Sequence, residues 1–206
     1  MSDVADAIAP LPRGRHNLTR DEVERSQRLR LAVAMAEACA DAGFAATPVK
    51  AVLERAGVSR LTFYELYDGK LDCFLEALDL VGAVLVDQLR SVLVDDAGTA
   101  VERATRVVDR YLDSIVENPA FARLYIVEVH AAGTEALTTR ATLQARIVDT
   151  VIGIFEADNP ERRFACEAYV AAVSALVTLP VATGDLDAVR ALRDPLVSLL
   201  SRLAQP

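Results

Sequence analysis

Four side chains within one short stretch, Arg60, Leu61, Thr62 and Tyr64, have the chemistry to read duplex DNA. An arginine can donate a bidentate pair to guanine O6 and N7, a threonine can touch a thymine methyl or a phosphate, and a tyrosine can donate to a phosphate. Leu61 adds only an apolar contact. What frees all four is the spacing of their neighbours: Phe63 and Leu66 fall three apart on the face that can meet Val52, Ala56 and Val58, so the buried positions lie on one side of the helix. Ser59 stands where it can cap that helix.

Two further elements must hold this helix in place. Thr47 and Pro48 mark the start of a preceding helix, since threonine can accept an orphan N–H at the cap and the fixed φ of proline suits a first turn. Lys50 and Glu54 face solvent on it. Ala56-Gly57-Val58 reads as the turn, with glycine tolerating the positive φ that stops one helix and Val58 dropping between the two. A longer helix from about 21 to 42, capped by Thr19 and ended by Gly43, places Leu31, Ala34, Met35 and Ala38 against them. Together these form a helix-turn-helix, whose second helix enters the major groove. Pro10, Pro12 and Gly14 put Arg13, Arg15 and His16 on an arm expected to order on DNA. Arg13, Arg15, Lys50, Ser59, Arg60, Leu61, Thr62, Tyr64 and Tyr67 are expected to meet DNA.

The run from Thr47 to Lys70, with Phe44 before it and Phe74-Leu75 after it, resembles the DNA-binding domain of the tetracycline-repressor (TetR) family of transcriptional regulators. The resemblance covers roughly residues 20 to 75 and rests on Gly57-Val58-Ser59, Thr62-Phe63-Tyr64 and Lys70. It implies that Thr47, Tyr64 and Lys70 hold phosphates while Arg60, Leu61 and Thr62 face bases. Three positions depart from the family pattern: Leu53 stands where a small residue is usual, Glu65 brings a carboxylate near the phosphates, and Leu66 replaces a frequent histidine. The resemblance also implies a homodimer on a near-palindromic operator, released when a small molecule binds the second domain and swings the fourth helix.

The net charge of −8 sits badly with a polyanionic partner until it is divided along the chain. Residues 1 to 75 carry ten Lys and Arg against eleven Asp and Glu, so the acidity belongs mainly to the remainder. Arg13, Arg15, Arg20, Arg25, Arg28 and Arg30 give the leading segment a local surplus, which is what phosphates feel when screening acts over about 10 Å. The 52% hydrophobic content supplies ample core, and no run approaches the roughly 18 apolar residues of a membrane span. Without an apolar leading segment the protein is expected in the cytoplasm, with no membrane partner. Cys39, Cys73 and Cys166 read as reduced thiols packed as small hydrophobes. No metal-ligand spacing and no cofactor motif occurs.

Apolar periodicity is helical nearly throughout, which predicts an all-α fold of about nine helices. The division expected is a basic arm at 1–18, a helix-turn-helix domain at 19–69, and an effector-binding and dimerisation domain at 70–206. The fourth helix begins near Lys70, and its length lets it reach from one domain into the other. A break at 95–99 and a helix at about 100–117 follow. A nearly all-apolar helix at about 119–131 should lie at the centre of the second domain, ahead of a helix at about 135–156. Tyr111, Phe121, Tyr125, Glu128 and Gln144 are the polar or aromatic groups on otherwise apolar helices, as an effector pocket requires. For Glu128 the alternative is a buried carboxylate paired to an arginine such as Arg140 or Arg146. Ala165, Ala168, Ala172 and Ala175 form a small-residue stripe, and Val189, Leu192, Leu196, Leu199 and Leu203 a leucine seam. Both read as the dimer interface, a four-helix bundle from two subunits. Pro195 should kink or restart the last helix after Asp194. An enzyme using Glu128 and His130 is a poor reading, because residues two apart on a helix point roughly 200° apart. A helical ligand-binding or scaffold dimer without DNA recognition is the remaining alternative.

Overall fold

A computed structural model describes residues 19–91 and 98–203, of which Leu203 by its backbone alone; among them the regular structure is entirely helical. The arm with Arg13 and Arg15, residues 95–97 of the expected break, and the Leu203 side chain lie outside the described residues. The head consists of α1 (Arg20–Ala42), α2 (Val49–Ala56) and α3 (Arg60–Leu66). A capping box opens α1: Thr19 Oγ1 accepts from the Glu22 N–H while Glu22 reaches back to the Thr19 N–H, satisfying two orphan donors at once. Gly57 ends α2 at φ 61°, in the left-handed region where a Cβ is costly. Val52, Ala56, Val58 and Phe63 are buried against Leu31, Met35 and the aromatic pair Phe44–Phe74.

The next helix, α4 (Lys70–Ser91), runs out of the head and buries Phe74, Leu78, Leu85 and Leu89 along one face. Arg28 of α1 pairs with Glu76 of α4, and Arg30 donates to the Ala56 carbonyl at 3.0 Å, so α1 clasps both its neighbours. A second capping box, Thr99 with Glu102, starts α5 (Ala100–Glu117). Then α6 (Pro119–Arg123), a π-helical turn (Leu124–Glu128) and α7 (Val129–Ala132) follow without a break. This is the buried central helix, with Leu124, Ile126 and Val129 shut off from solvent.

Around it pack α8 (Thr134–Phe155), α9 (Pro160–Thr183), α10 (Leu186–Ala191) and α11 (Arg193–Leu203). The last stretch divides at Leu192, two residues before the expected place, and Pro195 sits in the first turn of α11, where its missing N–H has no intrahelical partner to lose. Gly82 permits the closest approach of α4 to α8, since a Cβ there would stand 2.3 Å from Leu143 Cδ1. The core thus runs unbroken from the head to the last helix, and α4 is the element common to both ends.

Candidate DNA-reading head and effector cavity

Ser59 fixes the start of α3. Its Oγ accepts from the Thr62 N–H at 3.0 Å and lies 2.9 Å from Thr62 Oγ1, so the cap also sets the rotamer of one reading residue. With Phe63 fully buried beneath, Arg60, Leu61 and Tyr64 face outward. Leu61 is 73% exposed, the most of any large apolar side chain among the described residues, and the Arg60 guanidinium lies 5.5 Å from the Tyr64 ring centre. Such exposure gains nothing for folding. Lys50 is also in solvent, pairing loosely with Glu54 at 3.7 Å.

Three of the expected DNA residues make contacts within the subunit, Thr47 and Tyr67 from buried positions and Lys70 from a half-buried one. Thr47 is buried, and its Oγ1 donates to the carbonyls of Gly43 at 2.7 Å and Ala38 at 3.1 Å. It thereby ties the turn after Gly43 back to the last part of α1, and Pro48 occupies the cap position of α2. Tyr67 is buried between Phe63 and the Arg28 guanidinium, and that burial pushes its phenol well above the ordinary range. The Lys70 ammonium donates to the carbonyls of Phe44 at 2.7 Å and Thr47 at 3.1 Å, 4.2 Å from the Phe44 ring centre. Thr47 and Lys70 brace the turn between α1 and α2, a role that sequence spacing does not distinguish from phosphate contact.

In the second part, a cavity of about 50 Å³ lies between α4, α5, the π turn, α8 and α9. Tyr111, Tyr125 and Gln144 line it, as expected, together with Ser174, Tyr169 and a wall of aliphatic side chains. Tyr169 donates to the Leu196 carbonyl at 3.1 Å, which ties α9 to α11. Phe121 and Glu128 do not line the cavity. Glu128 turns toward the head: Oε2 accepts the Phe44 N–H at 2.7 Å and Oε1 accepts Arg123 Nε at 3.1 Å. Arg123 in turn donates to the Ala182 carbonyl at 2.8 Å. The π turn sets Glu128 five residues after Arg123, the spacing across which the two pair. Glu128 is therefore the paired carboxylate, with Arg123 as its partner rather than Arg140 or Arg146.

The alanine stripe of α9 is divided in its exposure. Ala168 and Ala175 are open to solvent, and Ala165 and Ala172 are half-buried. Phe164, Leu176 and Leu179 are exposed beside them, which leaves an apolar outward face. By length and composition α9 would reach across a bilayer, with a mean hydropathy of 1.7 and only 33% of that window buried. The leucine seam is not continuous. Val189 and Leu196 are buried within their own subunit, against α5, while Leu192 is half-buried and Leu199 faces out. The restart at Leu192 shifts the phase of the helix and turns part of the seam inward.

Residues 31–77 match the family described as bacterial regulatory proteins, tetR family. The fold of the whole chain is similar to that of the fatty acid degradation regulator FadR from Bacillus halodurans, at 18% identity and a TM-score of 0.72 over 83% of this chain and 96% of that one. It is likewise similar to FadR from Bacillus subtilis, solved with stearoyl-CoA, at 15% identity and a TM-score of 0.70 over 84% and 96% of the two chains. A TetR-like transcriptional regulator from Rhodococcus sp. RHA1 aligns at 20% identity and a TM-score of 0.66 over 90% and 97%. No curated protein matches the chain. Residues 31–77 thus form a head that matches the tetR family, on a body whose fold is similar to that of these solved regulators.

Proposed function

We propose that the protein is a homodimeric transcriptional regulator that represses by binding a near-palindromic operator and is released by a small-molecule effector. The observation that carries this reading is the outward face of α3: Arg60, Leu61 and Tyr64 stand in solvent on a helix anchored by the buried Phe63 and capped by Ser59. In this reading residues 19–69 bind DNA and residues 70–206 bind effector and partner, with residues 1–18 as a basic arm. Two copies would present their α3 helices to successive major grooves about 34–36 Å apart. The exposed face of α9, with Leu199, supplies the apolar surface for that pairing, so the apolarity of α9 is accounted for without a bilayer. The site of action is the cytoplasm.

Repression and release follow from α4. Leu89 of α4 lines the cavity while Lys70, at its other end, holds the α1–α2 turn, so a molecule that widens the cavity shifts a rod joined to the head. Such a molecule releases DNA only if it binds the wide state better than the DNA-bound one. The relative solved with stearoyl-CoA supports an effector with a large apolar part. The test is a mobility shift with the duplex upstream of the protein's own gene. A shift that weakens with salt, and that Arg60→Ala with Tyr64→Ala abolishes, is expected. Absence of any shift at low salt, or indifference to those substitutions, would leave a helical scaffold dimer.

A further inference from the structure

The polar end of the effector cavity is incompletely satisfied. Tyr125 is buried, lines the cavity, and its phenol oxygen has no hydrogen-bond partner. Over its ring, 5.6 Å from the centre, lies the guanidinium of Arg140. Arg140 Nη2 donates to Ser174 Oγ at 2.6 Å, and Ser174 is itself part of the cavity wall. Arg140 Nε is buried and also without a partner. Arg28, Arg110 and Arg123 each have a carboxylate within ion-pair distance, whereas Arg140 has none among the described residues. The Tyr111 phenol is the third group here, pushed up by burial and feeling both Tyr125 and Arg140.

Unpartnered donors inside a protein are costly. Here the free Tyr125 phenol opens on a cavity with mostly aliphatic walls, and Arg140, in contact with the wall residues Tyr125 and Ser174, has a buried N–H to spare. What they lack is an acceptor that carries negative charge. Charge-assisted bonds of arginine to a carboxylate are among the strongest available, and they strengthen further away from water.

We infer that Arg140, with Tyr125 and Ser174, is the headgroup site for a carboxylic acid whose apolar body lies in the cavity against Val107, Ile147 and Val173. The inference rests on the effector-responsive reading and deepens it. At about 50 Å³ the cavity holds only a few waters, so the body of the acid enters by spreading α4 from α5, α8 and α9. Leu89 on α4 is the wall that must yield. The thioester of such an acid would bring phosphates but no free carboxylate, and it would not use this site in the same way.

Titration calorimetry on the wild-type protein with hexanoate, decanoate, decanol and decanoyl-CoA tests the inference, alongside Arg140→Met, Arg140→Lys and Tyr125→Phe checked by thermal melting. One of the two acids is expected to bind at least about tenfold more tightly than decanol. Arg140→Met should erase that preference, Arg140→Lys should restore part of it, and Tyr125→Phe should weaken the acid without changing decanol. Acid and alcohol binding equally, neither acid binding, or decanoyl-CoA alone binding would each overturn the carboxylate site. A parallel mobility shift without ligand separates the two claims: an intact shift with no acid preference sinks only this inference, and a lost shift with the preference intact sinks only the regulator.

Discussion

Glu128 is the one charged residue buried among the described residues, and its carboxylate receives a backbone N–H from the head and the guanidinium of Arg123. Glu128→Ala leaves the Phe44 N–H without its acceptor and Arg123 without its counter-ion. Hydrogen bonds to charged groups are worth about 1.5–3 kcal/mol each, and Arg123 recovers part of its share because it is partly exposed, so a loss of roughly 2–4 kcal/mol is expected. At about 2–4 °C per kcal/mol for a chain of this size, that lowers the melting temperature by roughly 5–15 °C. Glu128→Gln, which keeps an acceptor for Phe44, should lose less, and equal losses in the two variants would show that the bond to the head is idle. The thiols give a second test at this scale. Burial pushes Cys39 up to about 11 and Cys73 up to about 12, from an ordinary 9.0. Above pH 9 the unfolded chain therefore releases protons that the native chain retains, and stability should fall as pH rises from 9 toward 12. Melting curves across that interval check the slope, and both thiols should resist a thiolate-selective reagent at neutral pH until the protein unfolds.

Among the elements, the head was legible because its signals are local. Thr19 with Glu22, Gly57 and Ser59 each act within a few residues of themselves, and each has the capping or turn role its type predicts. The roles of Thr47, Tyr67 and Lys70 were not legible, because a hydroxyl, phenol or ammonium near a phosphate and one near a carbonyl look the same in sequence. Nor were the π turn and the restart at Leu192, since both change helical phase and any argument from regular spacing carries the old phase past them. Leu196 lies beyond the restart and is buried, and Glu128 pairs with Arg123 across the five-residue spacing of the π turn. The α4–α8 contact is the testable element. Gly82→Ala would drive a methyl onto Leu143, itself buried, at a cost of about 1–3 kcal/mol for overpacking. Because α4 is continuous with the head, DNA affinity should fall along with melting temperature. Adding Leu143→Ala makes room for the methyl, and a double variant that regains DNA affinity over Gly82→Ala alone would locate the effect in this contact; additive losses would refute it.

At the scale of the whole molecule, the net charge of −8 works against approach to DNA, and the proposed two-copy assembly would answer that difficulty by doubling the contacts at one operator. In that proposal the subunits meet on the outward face of α9, where Leu179 is 70% and Leu176 is 47% exposed in the single subunit. Because neither side chain supports the fold of its own chain, replacing them is a clean probe of association. Leu176→Glu with Leu179→Glu would place two carboxylates on each side of the twofold contact, where desolvation and like-charge repulsion both oppose pairing. Helix content should stay unchanged by circular dichroism, while sedimentation should show a shift from dimer toward monomer at micromolar concentration. Operator affinity should fall by at least about a hundredfold, because each half-site must then be held alone. Leu199→Glu, on α11 at the edge of the same face, should weaken association less. A double variant that sediments as a dimer and shifts DNA normally would mean that the subunits meet elsewhere, and that the apolar face of α9 has another use.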